Sequence, residues 1–278
     1  MKAGRRSARI ARWLVIVALI IGGVAMVFPI FWLISTSLRP APELLFVPPR
    51  LLPEQWTLDN YIKAFASAPL LLYLWNSLVF ALISTFFILL TSTVSGYIFA
   101  KFSFPGRSFL FLLVLATAIV PFEIYMVPLF LQVNALKLVN TPLGLFLPFL
   151  VLSYGIFFMR QNTITSVPDE LLDAARIDGM SEWAIMLTFV PRLLAPAIAA
   201  LAILAFIQAW TAFIWPLLVL NKPSLFPMEL GLSQFANTRV DFGLTSAAAV
   251  VAMLPTLIAF LVLRRRIVEG ITLTGLKG

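Results

Sequence analysis

Carboxylates cluster at Asp169, Glu170, Asp173 and Asp178, around Arg176, the pair Ala174–Ala175 and a closing Gly179. These residues lie between two long apolar runs, so in so apolar a chain the segment must sit in water beside a membrane. Its composition suits a short helix, a turn at Gly179 and a second amphipathic helix. Asp169, after Pro168, reads as the helix N-cap, and Glu170 and Asp173 complement the positive helix start. Ala174 and Ala175 form a smooth patch that another surface can approach closely. Gly179 permits a left-handed turn. Ser181 can cap the next helix, with Glu182 and Trp183 in its first turn. Ile185, Met186 and Phe189 then supply an apolar face. Two readings are open, a docking surface and an ordinary loop between spans. The length of the 161–193 segment favours docking, because most connections run to about 4–6 residues.

Chemistry of other kinds is largely excluded. The chain has no Cys, which removes disulfides, thiolate metal sites and a Cys nucleophile. It has no His, which removes the usual general base and any Ser-His-Asp triad. Zinc chemistry would rest on carboxylates alone. Glu123 is the acid inside an apolar run, flanked by Pro121 and Pro128. A charge at mid-membrane costs about 2.5–3.5 kcal/mol on insertion scales, so Glu123 must face a cavity or a partner. It is a candidate pore or gate residue, or a carboxylate near the interface or paired with a neighbouring subunit. Gln208, Trp210 and Thr211 place polar and aromatic groups at mid-span, suited to sugar stacking and hydrogen bonding and equally to helix packing. Pro121, Pro128, Pro148 and Pro216 lie in or near spans, where they can kink helices and free carbonyls.

The elements that position these residues are membrane helices. The chain is 61% hydrophobic and 12% charged, with a mean hydropathy of +1.01. A soluble domain is roughly half apolar and a quarter charged, so the class is an all-α polytopic membrane protein. Six apolar runs are long enough to span: about 12–35, 71–100, 108–131, 141–160, 194–220 and 243–263. The first follows Lys2, Arg5, Arg6, Arg9 and Arg12 and reads as a retained first helix, being too long for a signal peptide. The net charge of +8 does not point to nucleic acid, because the basic residues sit at the ends of apolar runs. With the N-terminus inside, six spans leave Arg39, Arg50, Lys63, Lys137, Lys222 and Arg239 outside. The other basic residues fall inside, including Arg264–Arg266, which anchors the last span. The outside segment 36–70 is Pro-rich and irregular, with a short helix near Leu58–Phe65. One transmembrane domain covers 1–278: a tail and first helix at 1–35, core spans over about 71–264, and the inside loop at 161–193.

The order of several motifs resembles the permease subunits of importers with an ATP-binding cassette. Asp173-Ala174-Ala175-Arg176-Ile177-Asp178-Gly179 is similar to their EAA motif, with Asp173 in place of Glu. Pro191 falls one residue before the family's Pro, whose position holds Arg192, and the next family Pro matches Pro196. Thr57-Leu58-Asp59-Asn60-Tyr61, Asn76-Ser77-Leu78 and Phe102-Ser103-Phe104-Pro105-Gly106-Arg107 resemble the outside loop, the second-span opening and the inside turn. Trp210, Phe213 and Trp215-Pro216-Leu217 resemble the aromatic-Pro stretch of span five. The tail Arg265-Arg266-Ile267-Val268-Glu269-Gly270-Ile271-Thr272 with Lys277-Gly278 resembles the MalG-like carbohydrate branch.

The resemblance implies a type I importer permease of six transmembrane helices in the inner or plasma membrane, both termini cytoplasmic. It implies pairing with a second, related permease to form half of a sugar pathway. It implies an EAA loop that sits as a coupling helix in a cleft of one of two cytoplasmic ATPase subunits, with Glu170, Asp173, Ala174, Ala175, Asp178, Gly179, Ser181 and Trp183 as the coupling residues. An outer solute-binding protein delivers the sugar. No Gly-x-x-x-x-Gly-Lys-Ser/Thr loop occurs here, so the ATPase must be another polypeptide; this chain is expected to be no enzyme and to bind no cofactor, with ATP used by the partner. The same machine could import glycerol-phosphate or another small solute. An ion-coupled secondary transporter is the rival class, and it predicts several intramembrane carboxylates and internal repeats.

Overall fold

The computed structural model describes the backbone of residues 2–238 and 241–275, with side chains over 12–233 and 241–261. The side chains of Lys2, Arg5, Arg6, Arg9 and of the tail from Arg264 on lie outside the described residues, as do Arg239 and residues 276–278 altogether. No strand occurs among the described residues. The helices are α1 (Lys2–Ser37), α2 (Asp59–Ser67), α3 (Leu70–Lys101), α4 (Arg107–Ile119), α5 (Phe122–Ala135), α6 (Pro142–Phe146) and α7 (Ser153–Ser166). They continue with α8 (Asp169–Ile177), α9 (Glu182–Ala184), α10 (Val190–Leu193), α11 (Ala195–Trp210), α12 (Ile214–Val219), α13 (Met228–Thr238) and α14 (Phe242–Gly275).

Three helical stretches are long and apolar enough to cross a bilayer unaided: Arg12–Ser37, Leu70–Lys101 and Phe242–Leu261. Three further stretches are pairs bent at a short break: α4 with α5 by 101°, Pro142–Phe149 with α7 by 42°, and Glu182–Leu193 with α11 by 85°. Counting each pair as one crossing gives six, the number the apolar runs predict. At a rise of 1.5 Å per residue, the 32 residues of α3 extend about 48 Å, well beyond a hydrocarbon core of about 30 Å. The run at 71–100 is one unbroken helix, longer than the hydrocarbon core is thick.

The sharp bend after α4 has a local cause. Pro121 crowds the residue before it out of helical geometry, and Val120 is extended at φ −75°, ψ 119°. Pro121 also has no N–H to continue the ladder, so the helix stops at Ile119 and restarts at Phe122.

The residues group into two compact units, Met1–Leu70 with Leu232–Met253 and Leu71–Gly231 with Leu254–Gly278. In the first unit, the Pro-rich stretch after α1 is irregular, as expected, and its backbone is satisfied by buried side chains. Asn60 Nδ2 donates to the carbonyls of Ser37 (2.9 Å) and Arg39 (2.7 Å). Glu43 accepts from the backbone N–H of Glu54 (3.0 Å) and Gln55 (2.9 Å). Arg39 donates to Ser35 Oγ (2.9 Å) and to the Arg50 carbonyl, and its guanidinium lies over Trp32. Buried backbone groups require such partners. The expected short helix is α2.

In the second unit, side-chain bonds gather the loops into two sets at opposite ends of α3. Near its start, Asn76 Nδ2 donates to the carbonyls of Ser224 (3.0 Å) and Phe226 (3.1 Å), and Ser77 Oγ accepts from Met228 N–H (2.7 Å). Near its end, Lys101 meets Asp169 and Tyr97 meets Glu182. This alternation is what successive crossings require.

Candidate functional site

The acidic segment forms α8, with Asp169 and Glu170 in the first turn and Arg176 in the last, both favourable to the helix dipole. Its end is a Schellman motif. Gly179 sits at φ +85°, Gly179 N–H donates to the Arg176 carbonyl (3.0 Å) and Met180 N–H to the Ala175 carbonyl (3.0 Å). Ser181 then caps α9, its Oγ accepting from Ala184 N–H at 3.2 Å. A π turn at Ile185–Phe189 follows, with Ile185 and Met186 buried and Phe189 half-buried.

The inner face of this element is fused to the span helices. Leu172 and Ala175 join Tyr97, Met159, Ile185, Val190 and Leu194 in one buried cluster, so α8 packs with α3, α7, the π turn and α11. Removing Leu172, 1% exposed, should be costly. Leu172→Ala is expected to lose about 2–5 kcal/mol, read as a lowered melting midpoint of the purified protein in detergent. An unchanged midpoint would mean that α8 is not anchored here.

The outer face is exposed: Glu170, Asp173, Ala174, Ile177, Asp178 and Gly179, with Ser181 and Trp183 beyond the turn. Ile177 is 86% and Trp183 69% exposed, unusual for large apolar groups on a water-facing segment. The alanine pair divides, because adjacent helix positions are about 100° apart. Ala174 faces outward and Ala175 packs inward, so the smooth patch expected of both belongs to Ala174 alone.

Electrostatics hold the element in shape. Arg176 Nε donates to Glu182 Oε1 (2.6 Å) and Nη1 to Asp173 Oδ1 (2.7 Å), bridging the Gly179 turn. Glu182 first, and then Asp173, raise the Arg176 pKa and hold its charge firmly. Glu182 Oε2 also accepts from the buried Tyr97 hydroxyl at 3.3 Å. Asp169 is not the N-cap. Pro168 takes that position, and the Asp169 carboxylate instead meets Lys101 Nζ at 2.6 Å. Tyr97, Lys101 and Leu172 were not among the residues expected to matter, since their partners lie far away in sequence.

The mid-span candidates lie at the helix breaks. Glu123 is exposed in the first turn of α5, directly after the 101° bend. Its neighbour Phe122 meets Trp215 of α12 edge-on at 5.9 Å, and Trp215 Nε1 donates to the Gly144 carbonyl at 3.1 Å. The α4–α5 break and the α11–α12 break, residues 211–213, are therefore joined by one aromatic contact. Gln208 is exposed on α11, whereas Trp210 is buried and stacked on Phe206 at 5.7 Å. Of the pair, Gln208 is the one facing outward.

Comparison with known proteins agrees with this geometry. The family described as "Binding-protein-dependent transport system inner membrane component" matches residues 1–272. An arabinooligosaccharides transport system permease protein, AraQ of Halalkalibacterium halodurans, is 37% identical over 279 residues, covering 99% of each chain. A sulfoquinovosyl glycerol transport system permease protein, SmoH of Agrobacterium fabrum, is 34% identical over 90% of this chain and 89% of its own. A bacterial ABC transporter involved in import of the acidic polysaccharide alginate has a chain of the same fold, with a TM-score of 0.85 and 20% identity over 94% of this chain and 97% of that one.

Proposed function

This chain belongs to the family of binding-protein-dependent transport system inner membrane components, and we propose that it is the permease subunit of an ATP-driven carbohydrate importer. It is a multi-pass membrane protein and a transport component rather than an enzyme. In our reading it forms half of a translocation path with a second permease, and a solute-binding protein delivers an oligosaccharide or disaccharide from outside. Two cytoplasmic ATPase subunits use the ATP, and this chain carries no cofactor of its own. The N- and C-termini lie in the cytoplasm, where the basic residues concentrate.

The observation that carries this reading is the two-sidedness of α8. Its outer face offers Glu170, Asp173, Ala174, Ile177 and Asp178 to a partner, and its inner face is packed with α3, α7 and α11. A displacement imposed on the outer face must move those helices as a body, because packed cores do not deform continuously. Carbohydrate is the favoured cargo because the 37% identical relative is named for arabinooligosaccharides. The test is purification of the tagged chain from its native membrane in mild detergent. An ATPase, a second permease and a solute-binding protein should copurify. A chain that purifies alone contradicts the reading.

Glu123 and Gln208 are assigned to the path or its gate. The support is exposure of polar groups at span breaks, where facing lipid would be costly. Glu123→Gln is expected to change uptake or coupled ATP hydrolysis several-fold in proteoliposomes. Wild-type rates for both would remove Glu123 from the path.

A further inference from the structure

We propose that α2 is a membrane-surface helix whose apolar stripe, Leu58, Ile62 and Phe65, lies in the boundary between lipid headgroups and acyl chains. Its partner is lipid, not protein. The inference needs only that the chain is a multi-pass membrane protein, and the orientation argued above makes the leaflet the outer one.

The helix is tied to the end of a span. At 1.5 Å per residue, the 26-residue stretch Arg12–Ser37 extends about 39 Å, so a hydrocarbon core of about 30 Å leaves its end at the membrane surface. There Asn60 Nδ2 holds the carbonyls of Ser37 and Arg39, and the Tyr61 hydroxyl meets Ser37 Oγ at 2.8 Å. Thr57 N–H donates to the Leu38 carbonyl (3.0 Å), fixing the approach to α2 as well. At the far end, only Ala68 and Pro69 separate Ser67 from the start of α3 at Leu70. α2 is therefore held where one span emerges and the next one enters.

The helical period then gives α2 three faces. Successive residues are about 100° apart, so Leu58, Ile62 and Phe65 fall within an arc of about 60°. All three are exposed, Ile62 by 67%. Asp59 and Lys63, also exposed, lie about 100° round from that stripe. Asn60 and Ala64 are buried on the remaining side, with Tyr61 half-buried beside them. One side against protein, one bare apolar side and one bare charged side is the arrangement of a helix lying flat in an interface. A protein arriving from the water would meet Asp59 and Lys63 rather than the stripe. A partner that docks and leaves would expose the stripe to water between visits, which soluble surfaces avoid. The most apolar stretch of α1, which leads to α2, is unburied too, so the stripe continues a surface that the bilayer covers. Trp56, 62% exposed and just before α2, suits the headgroup level, where tryptophan concentrates.

The test exploits the absence of cysteine, since one introduced at a time is the chain's single thiol. Ile62→Cys, Phe65→Cys, Asp59→Cys and Lys63→Cys are each made in the full chain and purified with whatever copurifies. Each is labelled with a nitroxide and reconstituted in nanodiscs of phosphatidylcholine. The wild-type preparation, treated alike, gives the background from cysteines of copurifying proteins. Collision with oxygen, which enters lipid, is compared with collision with a water-soluble nickel chelate. The oxygen-to-nickel ratio at positions 62 and 65 should exceed that at 59 and 63 at least about fivefold, with a depth of about 5–10 Å. Nickel reaching 62 and 65 as freely as 59 and 63 would place the stripe in water and overturn the proposal. Exclusion of both reagents at 62 and 65 would overturn it too, because a protein, such as a second permease, would then cover the stripe. A reading without label comes from wild type and Trp56→Phe in vesicles of brominated phosphatidylcholine. The fluorescence that Trp56 contributes should be quenched there, and an unquenched Trp56 contradicts the proposal.

Discussion

Ile177→Asp is expected to release the ATPase while leaving the chain folded in the membrane. Ile177 ends the exposed face of α8 and is 86% exposed, so it supports nothing inside this chain. Surface substitutions away from special features usually stay within about 0.5 kcal/mol of wild-type stability. The partner's view differs. A large apolar group between Asp173 and Asp178, on a helix with one buried face, is suited to a pocket. Truncating such an anchor commonly costs about 2 kcal/mol or more, and a charge in its place adds desolvation. ATPase affinity should fall at least about tenfold, the equivalent of about 1.4 kcal/mol, with ATP-driven uptake lost in proportion. Melting of the detergent-solubilised chain should not change. An Ile177→Asp complex that retains its ATPase at wild-type affinity would show that docking uses another surface.

Gly96→Leu should damage the fold instead. A Cβ at Gly96 would lie 2.8 Å from the backbone nitrogen of Arg160 and 2.8 Å from Met159 Cβ. The obstacle is largely the backbone of α7, which cannot swing aside as a side chain would. Small residues allow such close helix approach in membranes. Forcing α3 and α7 apart would break the bond from Arg160 Nε to the Phe99 carbonyl (3.2 Å) and draw Tyr97 out of the cluster that anchors α8. Overpacking costs about 1–3 kcal/mol and occasionally more, so yield and melting midpoint should both fall sharply. Gly96→Ala should show the same trend more mildly. A wild-type midpoint for Gly96→Leu would refute the tight crossing.

The parts of this fold legible in the sequence are those that local composition controls. Runs of about 20 apolar residues announce the spans, and Pro168 to Gly179 announces a short charged helix, because capping and dipole preferences act within one turn. Other features depend on chain segments that meet only in three dimensions. Asp169 looks like an N-cap until Lys101, 68 positions away, takes its carboxylate. Ala174 and Ala175 look alike until the position of the core decides which turns inward. The 101° bend was visible only as Pro121, a residue that many straight membrane helices tolerate. The turn at Lys137 and Asn140 was only half legible: asparagine is a usual occupant of a left-handed position, whereas Lys137 ends α5 without the glycine that marks most such stops. Trp210 suited sugar stacking by type, and its burial against Phe206 could not be read from one chain's periodicity.

The most direct measurement of the central claim is uptake of a labelled oligosaccharide by proteoliposomes holding the purified complex. The solute-binding protein would be supplied outside and ATP either trapped inside or omitted. The account predicts accumulation only with trapped ATP and binding protein, and none when the Ile177→Asp chain replaces the wild type. Accumulation by this chain alone, without ATP and driven by a proton or sodium gradient, would contradict it and make the protein a secondary transporter.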